Sequence, residues 1–212
     1  MDTNEWIRAL TADSERRDFP LNGVWWSAFC GAAVLAALAF IILIGPRSDI
    51  AQAAETVRFL FKFAVTSALS AIAFLLVVRM SRPGASLAAP LSLIGLVLVL
   101  LAGAIGIELL TVSSDQWVER WIGSNALVCL TFISLIGVAP LTVVMAALRY
   151  GAPTRPGMAG AAAGLLAGGV AATFYAAHCT DDSPLFVATW YSIAIGLLMI
   201  VGFISGRLFV RW

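Results

Sequence analysis

Residues 87–110 read LAAPLSLIGLVLVLLAGAIGIELL, and positions 87–107 of that stretch carry no charged side chain. At a rise of about 1.5 Å per helical residue, such a run spans about 30 Å, the thickness of a bilayer's hydrocarbon core. Five further apolar runs flank it, at 24–45, 59–78, 126–148, 157–177 and 186–208. All are continuous and rich in Leu, Ala, Ile and Val, whereas a membrane β-barrel alternates residue by residue. Backbone amides in lipid must find partners within their own segment, so each run reads as a helix. The expected fold is all-α: a polytopic membrane protein whose residues 24–212 form one domain of six transmembrane helices, preceded by a tail over 1–23.

Composition agrees. The chain is 61% hydrophobic and 12% charged, with mean hydropathy +0.96; a soluble domain is about a quarter charged. A net charge of +1 says nothing about nucleic acid; six spans make the lipid bilayer an expected partner, and no direct nucleic-acid partner is expected. The tail holds Asp2, Glu5, Asp13, Glu15 and Asp18, unlike a cleavable signal peptide, so the first span is expected to be retained.

The basic residues set an orientation. With the N-terminus inside, the cytoplasmic segments carry Arg8, Arg16, Arg17, Arg79, Arg82, Arg149, Arg155, Arg207 and Arg211. The opposite face carries Arg47, Arg58, Lys62 and Arg120. That bias predicts both termini in the cytoplasm.

Within the tail, Trp6, Ile7 and Leu10 fall on one face at helical spacing, with Asp2 or Thr3 at the capping position and Glu5 in the first turn. Pro20 and the Asn22-Gly23 pair read as the break before the first span. So short a helix is marginal alone in water. Two readings fit: a helix lying on lipid headgroups, or a docking helix for a cytoplasmic protein. The excess of acids over bases favours the protein.

In the fifth run, Gly160, Gly164 and Gly168 make a ridge at four-residue spacing, suited to close helix packing. Lys62 and Glu108 are charges near span ends, read as anchors that snorkel to the interface, with a Lys62–Glu108 pair as an alternative. Cys30 reads as a packing residue. Cys129, one to two turns inside the fourth span, and Cys179, beside the lone His178, fall on the same outer side. These three can make a partial soft-metal site for Cu or Zn, with Asp181 and Asp182 adding oxygens or orienting the imidazole. A Cys129–Cys179 disulfide is a second option and two unrelated cysteines a third. No cofactor is obligatory.

There is no Cys-x-x-Cys, phosphate-binding glycine loop, zinc-protease helix or Ser/His/Asp set, so no enzyme is expected. The span centres lack the ionisable groups a transporter uses. A small permease and a thiol-redox membrane protein remain the competing classes.

Residues 178–191, HCTDDSPLFVATWY, resemble the signature of the NrsF-type negative regulators of sigma factor, and 4–13, NEWIRALTAD, are similar to that family's cytoplasmic start. The resemblance covers the whole chain. It implies a six-span anti-sigma factor of the bacterial inner membrane. Such a protein holds an extracytoplasmic-function sigma factor and releases it on metal or oxidative stress. By the same resemblance Cys129 and Cys179 are the sensing cysteines, His178 precedes Cys179 as in the signature, and Thr180 stands where proline is common. Trp6, Ile7 and Leu10 are then the candidate sigma-binding face.

Overall fold

The structure is a computed structural model that describes residues 2–15 and 21–210. All secondary structure among the described residues is helical: α1 (Thr3–Glu15), α2 (Leu21–Leu43), α3 (Ile50–Ala53), α4 (Val57–Met80), α5 (Ala88–Thr111), α6 (Trp117–Ile122), α7 (Ala126–Leu148), α8 (Pro156–Ala176), α9 (Pro184–Phe186) and α10 (Ser192–Phe209). Six of these segments are long and apolar enough to cross a membrane. Their outward surface carries Val34, Leu38, Ile42, Leu98, Val99, Ile200 and Ile204 in the open, as lipid contact requires.

Local chemistry explains the boundaries. In α1 the Glu5 carboxylate reaches back to accept from the Asp2 N–H at 3.2 Å, one half of a capping box. Asn22 and Gly23 are not a break: they lie in the first turn of α2, and Asn22 Oδ1 accepts from Arg82 at 2.6 Å. Thr56 caps α4 through its hydroxyl. Pro156 and Pro184 open α8 and α9, where a missing N–H costs nothing. The sixth run is interrupted, because a π-helical turn over Val187–Tyr191 precedes α10.

The bundle is built around α8, which packs on α10, α4, α7 and α2. Its glycines face two ways. A Cβ added at Gly160 or Gly164 would strike the Gly202 or Leu198 carbonyl of α10, and one added at Gly202 would strike the Gly160 carbonyl in return. Gly169, on another face, abuts Ser70 of α4. The predicted ridge is therefore one half of a glycine-to-glycine seam. By contrast α5 packs on α4 and α9 at the edge. Cys30 points out of the bundle rather than into it.

One end of the bundle, here the terminal end, gathers the start of α2, the 81–86 hinge and the 149–155 hinge, where Ala152 N donates to Ser81 O at 2.9 Å. The other, the loop end, gathers residues 44–56, 112–125 and 177–184.

Candidate functional site

The segment after α8 ties the loop end together. Ala177 O accepts from the Arg47 backbone at 3.0 Å, and His178 Nδ1 pairs with Gly45 O at 2.9 Å. Lys62, only 1% exposed, donates from α4 to Asp182 Oδ1 at 2.5 Å and to the Cys179 carbonyl at 2.8 Å. Arg47 reaches the other Asp182 oxygen at 3.1 Å and holds Asp49 at 2.6 Å. Asp181 accepts from the Ser124 and Asn125 backbone N–H groups at 3.1 and 2.9 Å, capping the start of α7. Glu108, 3% exposed, accepts from the Ser183 hydroxyl at 2.7 Å and the Leu185 N–H at 3.3 Å, and faces Arg120 at 3.3 Å.

Both intramembrane charges are thus buried and separately partnered. The expected snorkelling anchors are corrected, and Lys62 and Glu108 do not pair. Snorkelling serves a side chain lacking a local counter-charge; here the loop supplies one to each.

Beneath this network lie the thiols. Cys129 sits one turn into α7, its N–H on Asn125 O at 2.7 Å. Both it and Cys179 are 0% exposed, free, and within electrostatic range of one another. The Cys179 sulfur has one weak contact, the Asp181 carbonyl at 3.7 Å. Tyr175 and Tyr191 are buried beside it and face its sulfur, yet neither hydroxyl makes a well-formed hydrogen bond. Tyr175 comes from α8, four residues before Cys179; the π-helical turn carries Tyr191. Burial pushes the Cys179 thiol above its ordinary range, opposed by the Lys62 ammonium and the Asp181 backbone, so the resting thiol is neutral and weakly nucleophilic. At the surface the Arg47 guanidinium lowers Asp49, and Asp49 in turn raises Arg47.

Of the residues singled out from sequence, Cys129 and Cys179 share one buried cluster. His178, Asp181 and Asp182 are committed to Gly45, to the α7 cap and to Lys62 with Arg47. Among the described residues no group of three or more His, Cys, Asp and Glu converges on one point. Trp6 and Ile7 lie exposed on α1, and the Leu10 side chain lies outside the described residues, as do Arg16, Arg17, Pro20 and Arg211. Sequence reasoning assigned Arg47, Tyr175 and Tyr191 no role at this site. For Tyr175 the four-residue spacing to Cys179 was the available signal.

Residues 10–212 match the family described as "Negative regulator of sigma F" (NrsF). The chain is 34% identical over 215 residues to the anti-sigma-F factor NrsF of Caulobacter vibrioides (strain NA1000 / CB15N), covering 100% of both chains. It is 30% identical over 216 residues, again covering 100% of both, to the probable anti-sigma-F factor NrsF of Azospira oryzae. No solved structure matches.

Proposed function

The chain belongs to the NrsF family of negative regulators of sigma F, and from that premise we propose that it is an anti-sigma factor of the bacterial inner membrane. It sequesters an extracytoplasmic-function sigma factor at the cytoplasmic, terminal end and releases it when Cys129 and Cys179 bind a soft metal ion or are oxidised at the periplasmic, loop end. It works by stoichiometric capture rather than turnover.

One observation carries this reading. The buried Cys179 sulfur and the carbonyl that anchors Lys62 belong to one residue. A change at the sulfur that shifts the Cys179 backbone disturbs the Lys62–Asp182 pair. Lys62 rides on α4, which runs without interruption to Arg79 beside the 81–86 hinge. The donor set suits a soft ion such as Cu(I), which thiolates select, better than structural zinc, which takes four ligands. The stimulus acts only as far as it favours one packing over the other. A tenfold loss of sigma affinity needs about 1.4 kcal/mol of coupling.

The test is an affinity pull-down from detergent-solubilised bacterial membranes with the full chain and with one lacking residues 2–19, co-purified proteins being read by mass spectrometry. A sigma factor held by the full chain and lost with the tail supports docking through Trp6, Ile7 and Leu10. One held by both moves the contact to the Arg79/Arg82 or Arg149/Arg155 hinges. No sigma factor from either folded protein overturns the reading and returns transport or thiol-redox activity to consideration. Cys129→Ser and Cys179→Ser should each keep sigma bound under metal or oxidant; normal release from both removes the sensing role.

A further inference from the structure

Two cavities at the loop end adjoin. The first is an apolar groove of about 570 Å³ between α4 and α5, walled by Phe61, Val99 and Leu100 over a floor of Gly103 and Ala104. The second is a polar pocket of about 460 Å³ lined by Arg58, Arg120, Gln116, Glu119 and Thr180. Arg58 lines both. The geometry points to one bound phospholipid from the loop-side leaflet: an acyl chain in the groove and a zwitterionic, primary-amine headgroup in the pocket.

Length fits the chain. The groove runs along α5 from Val99 to Thr111, a rise of about 18 Å, against about 15 Å for the hydrocarbon of one leaflet. The floor is open at position 103, where a Cβ would meet nothing within 4 Å, so a long side chain placed there would project into the groove.

Charge fits the headgroup. Glu108 is satisfied by Ser183 and by Arg120 at 3.3 Å, whereas Arg58 stands 3.8 Å away with its side chain 47% exposed. The Arg58 guanidinium therefore keeps donors for a phosphate, which arginine recognises with two parallel hydrogen bonds. The pocket is not purely cationic. Asp181 and Asp182 are bonded to other segments, but Glu119 makes no ion pair among the described residues and is placed for an ammonium. A phosphate beside a primary amine matches that arrangement; a headgroup with phosphate alone meets Glu119 unfavourably.

The test is native mass spectrometry of the full chain, delipidated in mild detergent and titrated with phosphatidylethanolamine, phosphatidylglycerol or phosphatidylcholine of identical acyl chains. Expected is one retained phosphatidylethanolamine, bound about tenfold more tightly than phosphatidylglycerol, a difference of about 1.4 kcal/mol. Gly103→Leu should abolish retention, Arg58→Gln should weaken it about tenfold, and Glu119→Gln should remove the preference over phosphatidylglycerol. Should Gly103→Leu not fold, half-exposed Arg58 and exposed Glu119 still decide the matter. Equal retention of all three lipids, unchanged in the variants, overturns the proposal in favour of unselective surface lipid. A dimer that Gly103→Leu converts to monomer overturns it in favour of a second copy.

Discussion

Helices α8 and α5 are both apolar, both cross the bundle and both carry several glycines, yet 78% of the α8 span is buried within the protein and 17% of the α5 span. Every glycine of α8 meets another helix when given a Cβ, while Gly95, Gly103 and Gly106 of α5 meet nothing. Glycine in an apolar run thus has no fixed meaning. Where a second helix brings its own small residues, as α10 does with Gly202 and Gly206, backbone approaches backbone and dispersion contacts accumulate without any hydrophobic drive between helices. Where none does, the missing side chain leaves a hollow that lipid fills.

The sharpest way to break this contrast is one substitution made twice. Gly164→Leu forces a side chain into the Leu198 carbonyl and the Met199 backbone, which cannot move without separating α8 from α10. It should cost about 3 kcal/mol or more and yield aggregated protein. Gly103→Leu should change stability by about 0.5 kcal/mol or less. Thermal unfolding in detergent, followed by tryptophan fluorescence, reads both. Equal losses would mean that α5 is as tightly packed as α8.

The two buried charges sharpen the same contrast. Lys62→Met strands the Cys179 carbonyl and leaves Asp182 with Arg47 alone; the loss of charged hydrogen bonds should cost about 2–3 kcal/mol. Glu108→Gln keeps an oxygen for Ser183 and Leu185 but turns its amide NH2 toward Arg120, giving up that hydrogen bond and the attraction to Arg58. It should cost about 1.5 kcal/mol. Chemical unfolding midpoints rank the two, and the reverse order would place α5, not α4, as the main support of the loop. Asp181→Ala removes the acceptor that caps α7 and should cost about 1 kcal/mol; Asp181→Asn should recover most of it.

The spans were legible because lipid demands long charge-free runs: the fourth was expected at 126–148 and α7 is Ala126–Leu148. The ridge at Gly160, Gly164 and Gly168 was legible too, but its partner was not, although Gly202 and Gly206 show the same four-residue spacing. Which helix faces which depends on the closed bundle, not on either sequence alone. Lys62 and Glu108 were misread for a related reason. Their partners Asp182 and Ser183 lie 120 and 75 positions away, and hydropathy near a span end cannot separate a snorkelling charge from a buried pair. The candidate site was legible as two cysteines on one side of the bundle. Its two tyrosines were not, since within an apolar run an aromatic residue reads as one more span residue.

The smallest expected effect concerns the resting chemistry of the Cys179 thiol, buried beside Tyr175 and Tyr191. With Cys30 and Cys129 replaced by serine, Cys179 alone can be alkylated. In detergent-unfolded protein its reaction with N-ethylmaleimide should accelerate as pH rises from 7 towards 9, because the thiolate fraction grows. In folded protein the reaction should be about tenfold slower or more at pH 7, and should respond little over the same interval, since burial holds the thiol neutral. The sign for stability follows: the folded state keeps the proton longer. This contribution is present in full below the unfolded thiol's value of 9.0 and is lost as pH climbs from there towards the folded value. Equal rates in folded and unfolded protein would show the cluster to be open at rest. A metal ion or oxidant could then reach Cys179 without any prior movement of the loop, and the Lys62–Asp182 pair would no longer stand between stimulus and thiol.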